Sequence, residues 1–510
     1  MLHSSLEKFR TRLVSPDPHQ QRWAILLLLL AGGLTAGLLV GIAGPVIALG
    51  LALATLGGAV VLRSPLWGLV GIILIATLLP FATMPFKIVF TPSFLDLAIF
   101  ATFGVWALRY ALARETKFEF SDLGGFVLLF LFLAAFSFAL GLQYARPTSN
   151  NLRQFMEMIL SIALFFVVIN VVRDEKSLFL MAKALMIGGA GAAFLGILFY
   201  VIPREATVWV LDHLARFEYP GGYGALRFVE DDPNGVMRAI GTSIDPNVFG
   251  GLLIMVGVIT LPQIASKKPL FSRKWVILMV LLDVTALFLT ISRGSLVGFL
   301  IGLGAIGLMR YRKLLLWGII GGLVLGVLVM FMPFAQSYVQ HFIEGVTLQD
   351  RATLMRLGEY KDALALISRH PVFGVGFTGT PEIDLYIGVS SLYLLMAEEM
   401  GLVGVAVFIL TMLMFINILI NGLRHIHQDP RLEALMLGVL GAIVGLLAAG
   451  VLDHYLFNLT YPHMTALLWI VVGMGVSASQ YARHFMDRQT ELNAGSAPSS
   501  ETVSLHPDAA

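Results

Sequence analysis

Fourteen apolar stretches follow one another through this chain, and most are long enough to cross a bilayer as helices. They fall near residues 23–43, 45–62, 66–82, 93–113, 123–142, 152–172, 178–202, 244–264, 274–291, 294–309, 314–333, 391–420, 433–452 and 459–480. A spanning helix needs about 20 apolar residues, and hydrocarbon tolerates only structures whose backbone bonds are made internally. The expected fold is therefore all-α: a polytopic membrane helix bundle of about 12–14 transmembrane helices. Composition agrees, with 57% apolar residues and only 13% charged, about half the charged share of a soluble domain. The chain has no cysteine, which excludes disulfides, thiolate metal sites and cysteine catalysis. The run after Arg22 reads as a retained helix, not a cleavable leader.

Basic residues set the expected orientation. With the N-terminus inside, the inner segments hold 21 Lys and Arg, and the short outer connections hold only Lys87, Arg146, Arg153 and Arg293. The positive-inside rule then puts both termini in the cytoplasm. The expected organisation is a cytoplasmic segment 1–22, transmembrane helices 23–202, and an extracytoplasmic loop 203–243. Helices 244–333, a large extracytoplasmic loop 334–390, helices 391–480 and a cytoplasmic disordered tail 481–510 complete it. Each long loop carries four basic and six acidic residues. Neither is a polyanion-binding patch in bulk, and nucleic acid is not an expected partner.

Four arginines break the charge pattern. Arg238, Arg293, Arg351 and Arg356 sit at or near the outer face, and Arg293 is wedged between two apolar runs in Thr290-Ile291-Ser292-Arg293-Gly294. An ionisable group at membrane depth is costly and marks a functional site by default. Planar guanidinium groups converging on one side suit a phosphate or diphosphate.

The second long loop opens with Leu354, Leu357, Leu364 and Ile367 at helical spacing, which predicts an interfacial helix ending at His370-Pro371. The glycines of Phe373-Gly374-Val375-Gly376-Phe377 predict a tight turn whose backbone N–H groups lie open to a headgroup or sugar. Asp245 and Asn247 precede an apolar run and suit a helix cap. Asp96 and Asp283 are acids well inside spans, the second without an assigned partner.

Several segments resemble the O-antigen ligase and polymerase superfamily of bacterial polysaccharide assembly. They are Arg238-Ala-Ile-Gly-Thr-Ser-Ile-Asp-Pro-Asn247, Ser292-Arg293-Gly294-Ser295, and Arg351 with Arg356 leading to His370-Pro371-Val-Phe-Gly-Val-Gly376. The fourth is Ser390-Ser391, nine residues, then Gly401-Leu-Val-Gly404. The likeness covers residues 235–480, and the first half matches only as a stack of apolar helices. It implies a membrane glycosyltransferase that takes a glycan from undecaprenyl diphosphate on the extracytoplasmic face and passes it to a glycan or other acceptor. It also implies that the outer arginines hold the diphosphate and that no metal or other cofactor is needed. Membrane lipids are partners on this reading, and chain-length regulators or a flippase are further candidates.

One departure matters. Where the ligase branch carries its histidine base, this chain has Ser390 followed by Ser391. A serine hydroxyl does not accept a proton near neutral pH without a partner. A polymerase, or a ligase whose acceptor is not lipid A, is therefore expected. Asp453-His454 lead as substitute base, with Glu398, Glu399 and His370 behind them. Asn247, Gly374, Gly376, Ser390 and Ser391 are the candidates for lining the substrate path. Two alternatives stay open: a small-solute or anion transporter of the same superfamily, and a non-catalytic subunit of an assembly complex.

Overall fold

A computed structural model describes residues 41, 57–58, 60–84, 90–112, 118–331, 351–379, 388–426 and 429–495. The chain divides into two units, residues 1–64 and 65–510. In the first, residues 60–63 are helical and Ser64 N–H donates to the Val61 carbonyl at 3.0 Å. The expected spans at 23–43 and 45–62 lie largely outside the described residues.

The second unit is helical almost throughout. Its helices are α1 (Pro65–Leu78), α2 (Phe94–Leu112), α3 (Gly124–Gly141), α4 (Ser149–Val171), α5 (Glu175–Val201) and α6 (Arg204–Leu214). Then come α7 (Pro246–Thr260), continued by α8 (Pro262–Ala265), α9 (Arg273–Leu289), α10 (Arg293–Met309) and α11 (Arg312–Met330). The last four are α12 (Arg351–Arg369), α13 (Leu392–His425), α14 (Pro430–Ala449) and α15 (Pro462–Gly495). Among the described residues seven helices are long and apolar enough to cross a membrane: α3, α4, α5, α7 with α8, α13, α14 and α15. The protein is a multi-pass membrane protein. Helices α9 and α10 have 17 residues each, about 25 Å at 1.5 Å per residue against a hydrocarbon core of about 30 Å. They are joined by the short link that leads to Arg293, and both pack against α7.

Helix starts follow local chemistry. Asp174, Asp245 and Asp429 each accept a backbone N–H from the first turn of α5, α7 and α14, and Thr148 does so for α4. Helix α15 runs on to Gly495, where a disordered tail was expected to begin at 481. Arg483, Met486, Asp487 and Arg488 put no glycine or proline in the way of a helix already under way.

Helix α15 is the centre of the bundle, with every residue of its apolar stretch buried, and α7 and α14 are almost as enclosed. Large apolar side chains left outside, such as Phe132 and Leu308, belong to the lipid-facing surface. Helices α10 and α14 pack antiparallel through glycine. A Cβ on Gly298 would meet the Gly445 carbonyl at 2.7 Å, and one on Gly302 would meet that of Gly441 at 2.7 Å. Small residues let two backbones approach this closely in lipid. The register puts the start of α10 against the end of α14, so Gly294 faces Leu452.

The 203–243 loop is itself folded. It contains α6 and a two-stranded hairpin, β1 (Arg227–Phe228) with β2 (Met237–Arg238), in which Arg227 pairs with Arg238. Leu211, Tyr219, Ile240 and Ile244 bury a small core against Phe199 and Ala82. The loop is thereby held over the starts of α2 and α7.

Helix α12 appears as expected and stops at Arg369 before His370-Pro371. The turn after it differs from expectation. Helix α13 breaks at Gly401, which has φ 70°, so the carbonyls of Glu398 and Glu399 lose their helical donors. The Val375 and Gly376 amides donate to them at 2.8 and 3.0 Å, and the Gly374 amide donates to the His370 carbonyl. These N–H groups are spent on the fold and are not open to a headgroup or sugar. Gly374 and Gly376 have φ 66° and 79°, and a Cβ on either would collide with main chain of α13 or α3.

Candidate functional site

Four pieces of backbone end at one place: the hairpin bearing Arg238, the start of α7, the α9–α10 link, and the turn that follows α14. Glycine packing of α10 on α14 brings the last two together. Arg238 ties in the first two. Its Nε donates to the Thr290 carbonyl at the end of α9, and an Nη donates to Asn247 Oδ1 at the start of α7, both at 2.8 Å. Asn247 thus orients an arginine, and Asp245 is the α7 cap.

The charges here act on one another. Burial lowers the Arg238 guanidinium to about 10, so it stays protonated at neutral pH; the carboxylates of Asp245 and Asp453 support its proton, and Arg356 and Arg293 oppose it. Three of the four expected arginines therefore belong to one electrostatic cluster. Arg351 begins α12, and its side chain lies outside the described residues.

Arg293 occupies the first position of α10, after the Ser292 cap. A helix N-terminus carries partial positive charge and favours anions, so a cation there runs against the local electrostatics. The backbone shows a similar conflict. Ile244 and Ile291 have φ 60° and 53°, a left-handed conformation that costs a β-branched residue about 1–3 kcal/mol. Ile244 precedes Asp245, and Ile291 stands two residues before Arg293. The two strained isoleucines thus stand at two of the helix starts that meet here, those of α7 and α10.

Asp453 and His454 lie in the turn after α14. Burial pushes the Asp453 carboxyl up to about 7; Asp245 adds to the effect, while Arg356, the His454 amide and Arg238 oppose it. The His454 ring stays below its ordinary value because burial disfavours the charged form, with Asp245 and Glu359 pulling the other way and Arg356 adding to the depression. His454 is a neutral imidazole at pH 7. Among the described residues its buried Nδ1 has no hydrogen-bond partner, and it stands 3.9 Å from Asp453 Oδ1.

Helix α12 closes the cluster from above. Arg356 acts on Arg238, Asp453 and His454. One turn on, Glu359 accepts the Ser390 amide at 3.0 Å, and Tyr360 donates to the carbonyls of Ser390 and Val451 at 3.2 and 3.3 Å. Ser390 is therefore held by its backbone beside the cluster. Ser391 is buried at the start of α13.

Two candidates stand elsewhere. Glu399 is buried in the break of α13, with its carbonyl bonded to Gly376. His370 packs edge-on to Tyr144, 5.8 Å between ring centres, at the far end of α12. Among the described residues neither is one of the charges acting on Arg238, Asp453 or His454.

Sequence reasoning missed Asp245 as a charge in the cluster, as well as Glu359, Tyr360 and Tyr461. It also missed the buried network of Arg153, whose Nη1 donates to Asp96 Oδ2 and Glu157 Oε2 at 2.9 Å each. Ser93 donates to Glu157 at 3.2 Å and caps α2 together with Asp96. The Arg153–Glu157 spacing of four was the available signal for half of it.

The family model described as O-antigen ligase matches residues 278–409, which run from α9 through the break of α13. Arg293, Arg356, Ser390 and Glu399 fall inside that segment; Arg238, Asp453 and His454 fall outside. No curated protein matches the chain in sequence. Over residues 278–409 the chain is thus similar to the O-antigen ligase family, a likeness that supports a relation to the membrane glycan-assembly enzymes of that superfamily.

Proposed function

We propose that this protein is a glycosyltransferase of bacterial surface polysaccharide assembly, acting on the extracytoplasmic face of the inner membrane. Its donor is a glycan on undecaprenyl diphosphate, and it works as a polymerase or as a ligase with an acceptor other than lipid A. The observation that carries this reading is the convergence of Arg238, Arg293 and Arg356 on the Asp453–His454 turn.

In the reaction the acceptor hydroxyl oxygen forms a bond to the anomeric carbon, and the bond from that carbon to the diphosphate oxygen breaks. Negative charge grows on the leaving diphosphate, and preorganised guanidinium groups in a water-poor site stabilise it most where it develops. The acceptor hydroxyl loses its proton as the new bond forms. His454 is suited to take it because its ring is neutral at pH 7. Asp453, poised at about 7 beside it, is placed to orient the ring or to accept the proton in turn. Ser390 lacks the basicity for this role, and Glu399 is held apart in the α13 break.

The test is glycan transfer in membranes or nanodiscs with purified lipid-linked donor. Arg293→Ala is expected to lower transfer by about 100-fold or more at unchanged protein level. Normal polymer yield and length from that variant would remove the assignment.

A further inference from the structure

Beside the arginine cluster lies a cavity of about 350 Å³, within the range that accepts a small ligand. Two walls are aromatic, Phe81 and Tyr461, with ring centres 6.4 Å apart and planes at 67°. The floor is the buried ion pair of Arg153 with Glu157, and the rim carries Glu218, Arg227 and Asp245. The cavity is joined to the cluster at two points. Asp245 lines it and also acts on Asp453 and His454. Tyr461 lines it and stands 6.3 Å, ring centre to ring centre, from His454.

The charges of this cavity differ from those of the cluster. Glu218 and Asp245 line it together with Arg153 and Arg227, so the two signs are balanced. Arg153 is already committed to Asp96 and Glu157 through a single nitrogen. A phosphate finds no set of converging guanidinium groups here. A polyhydroxylic ligand without negative charge is well matched: its hydroxyls donate to carboxylate oxygens and accept from guanidinium N–H groups, while its C–H faces lie against Phe81 and Tyr461.

We infer that this cavity seats one uncharged sugar residue of the glycan, next to the diphosphate held by the arginines. This deepens the glycosyltransferase reading and rests on it. The residue is either the donor sugar nearest the diphosphate or the terminal sugar of the acceptor. In both cases it lies one aromatic ring from His454.

The experiment uses the full chain in nanodiscs and three probes: bare undecaprenyl diphosphate, the lipid-linked glycan, and lipid-free oligosaccharides released by mild acid from the cell's own surface polymer. Gln154→Trp fills the cavity from its lining without touching the ion pair, and Glu218→Gln removes a charge from the exposed rim at constant shape. Both variants are expected to bind bare undecaprenyl diphosphate like the parent, which also reports that they are folded. Each is expected to lose at least tenfold in affinity for a sugar-bearing probe. A loss confined to the lipid-linked glycan assigns the cavity to the donor sugar; a loss confined to the free oligosaccharide assigns it to the acceptor. Unchanged affinity for both overturns the inference, even when Arg238→Ala still abolishes diphosphate binding. If the parent chain binds no undecaprenyl diphosphate, the glycosyltransferase reading itself fails, and the two failures are separate.

Discussion

Arg153 and Arg238 are both guanidinium groups held among helix ends, and the contrast between them is instructive. Arg153 has a carboxylate oxygen on either side at 2.9 Å, so its charge is neutralised inside the protein. The direct bonds of Arg238 go to a carbonyl and an amide oxygen. Its nearest charges are mixed, with Arg293 and Arg356 on one side of the balance and Asp245 and Asp453 on the other. An arginine bonded to neutral acceptors is positioned but not discharged. The first arrangement builds the fold, and the second keeps a cation available to a ligand.

The sharpest way to break this contrast is to remove each arginine in turn. Arg238→Ala is expected to cost about 100- to 1000-fold in glycan transfer, with yield retained and a thermal midpoint lowered less than by Arg153→Ala, because the Thr290 carbonyl and Asn247 lose one hydrogen bond each. Arg153→Ala leaves Asp96 and Glu157 buried without their partner and is expected to cost about 3–5 kcal/mol of stability, read as lost yield and a lower midpoint. If Arg153→Ala stays folded and loses only transfer, the division between the two arginines is wrong.

A smaller effect is expected in the pH profile. Asp453 is held near 7, above the ordinary carboxyl value, so its ionised fraction rises as pH rises through neutrality. Transfer should show an acid limb near pH 7 that is absent in Asp453→Asn. Arg356→Ala should move that limb upward, because a charge favouring the carboxylate is gone, and Asp245→Asn should move it downward. Stability has the opposite sign: the protonated form is favoured in the folded state, so Asp453 contributes less as pH rises from about 4 through about 7. A limb unmoved by all three substitutions would exclude Asp453 from the proton path. The least effect is expected from Tyr360→Phe, which removes two hydrogen bonds tying α12 to Ser390 and Val451. It should cost about 1–2 kcal/mol, seen as faster proteolysis of α12 with transfer reduced several-fold.

The spans among the described residues and the helix of the second long loop were legible in the sequence because each rests on local pattern: apolar length and helical spacing. Convergence was not legible. Whether the start of α10 meets the turn after α14 depends on the register in which Gly298 and Gly302 pack against Gly445 and Gly441, and no local pattern encodes that register. Glu399 was placed among the catalytic candidates because it precedes a glycine pair. The structure turns that glycine into a helix break, and the acid stays on the break's side of α13. The amides of Val375 and Gly376 read as open for the same reason: their acceptors come from a helix that only the folded chain interrupts. Asp245 was read correctly as a cap, but a cap that also biases Asp453 requires the third dimension.

The clasp between Val375–Gly376 and the interrupted α13 works as a rivet. It fixes how far along the bundle α12 can slide, independently of how much chain joins Phe377 to Val389. Insertions or deletions in that connection alter what the protein shows to its surroundings and leave Arg356 at the same height. On the proposed function, specificity for the glycan would then be free to drift while the arginine cluster stays still.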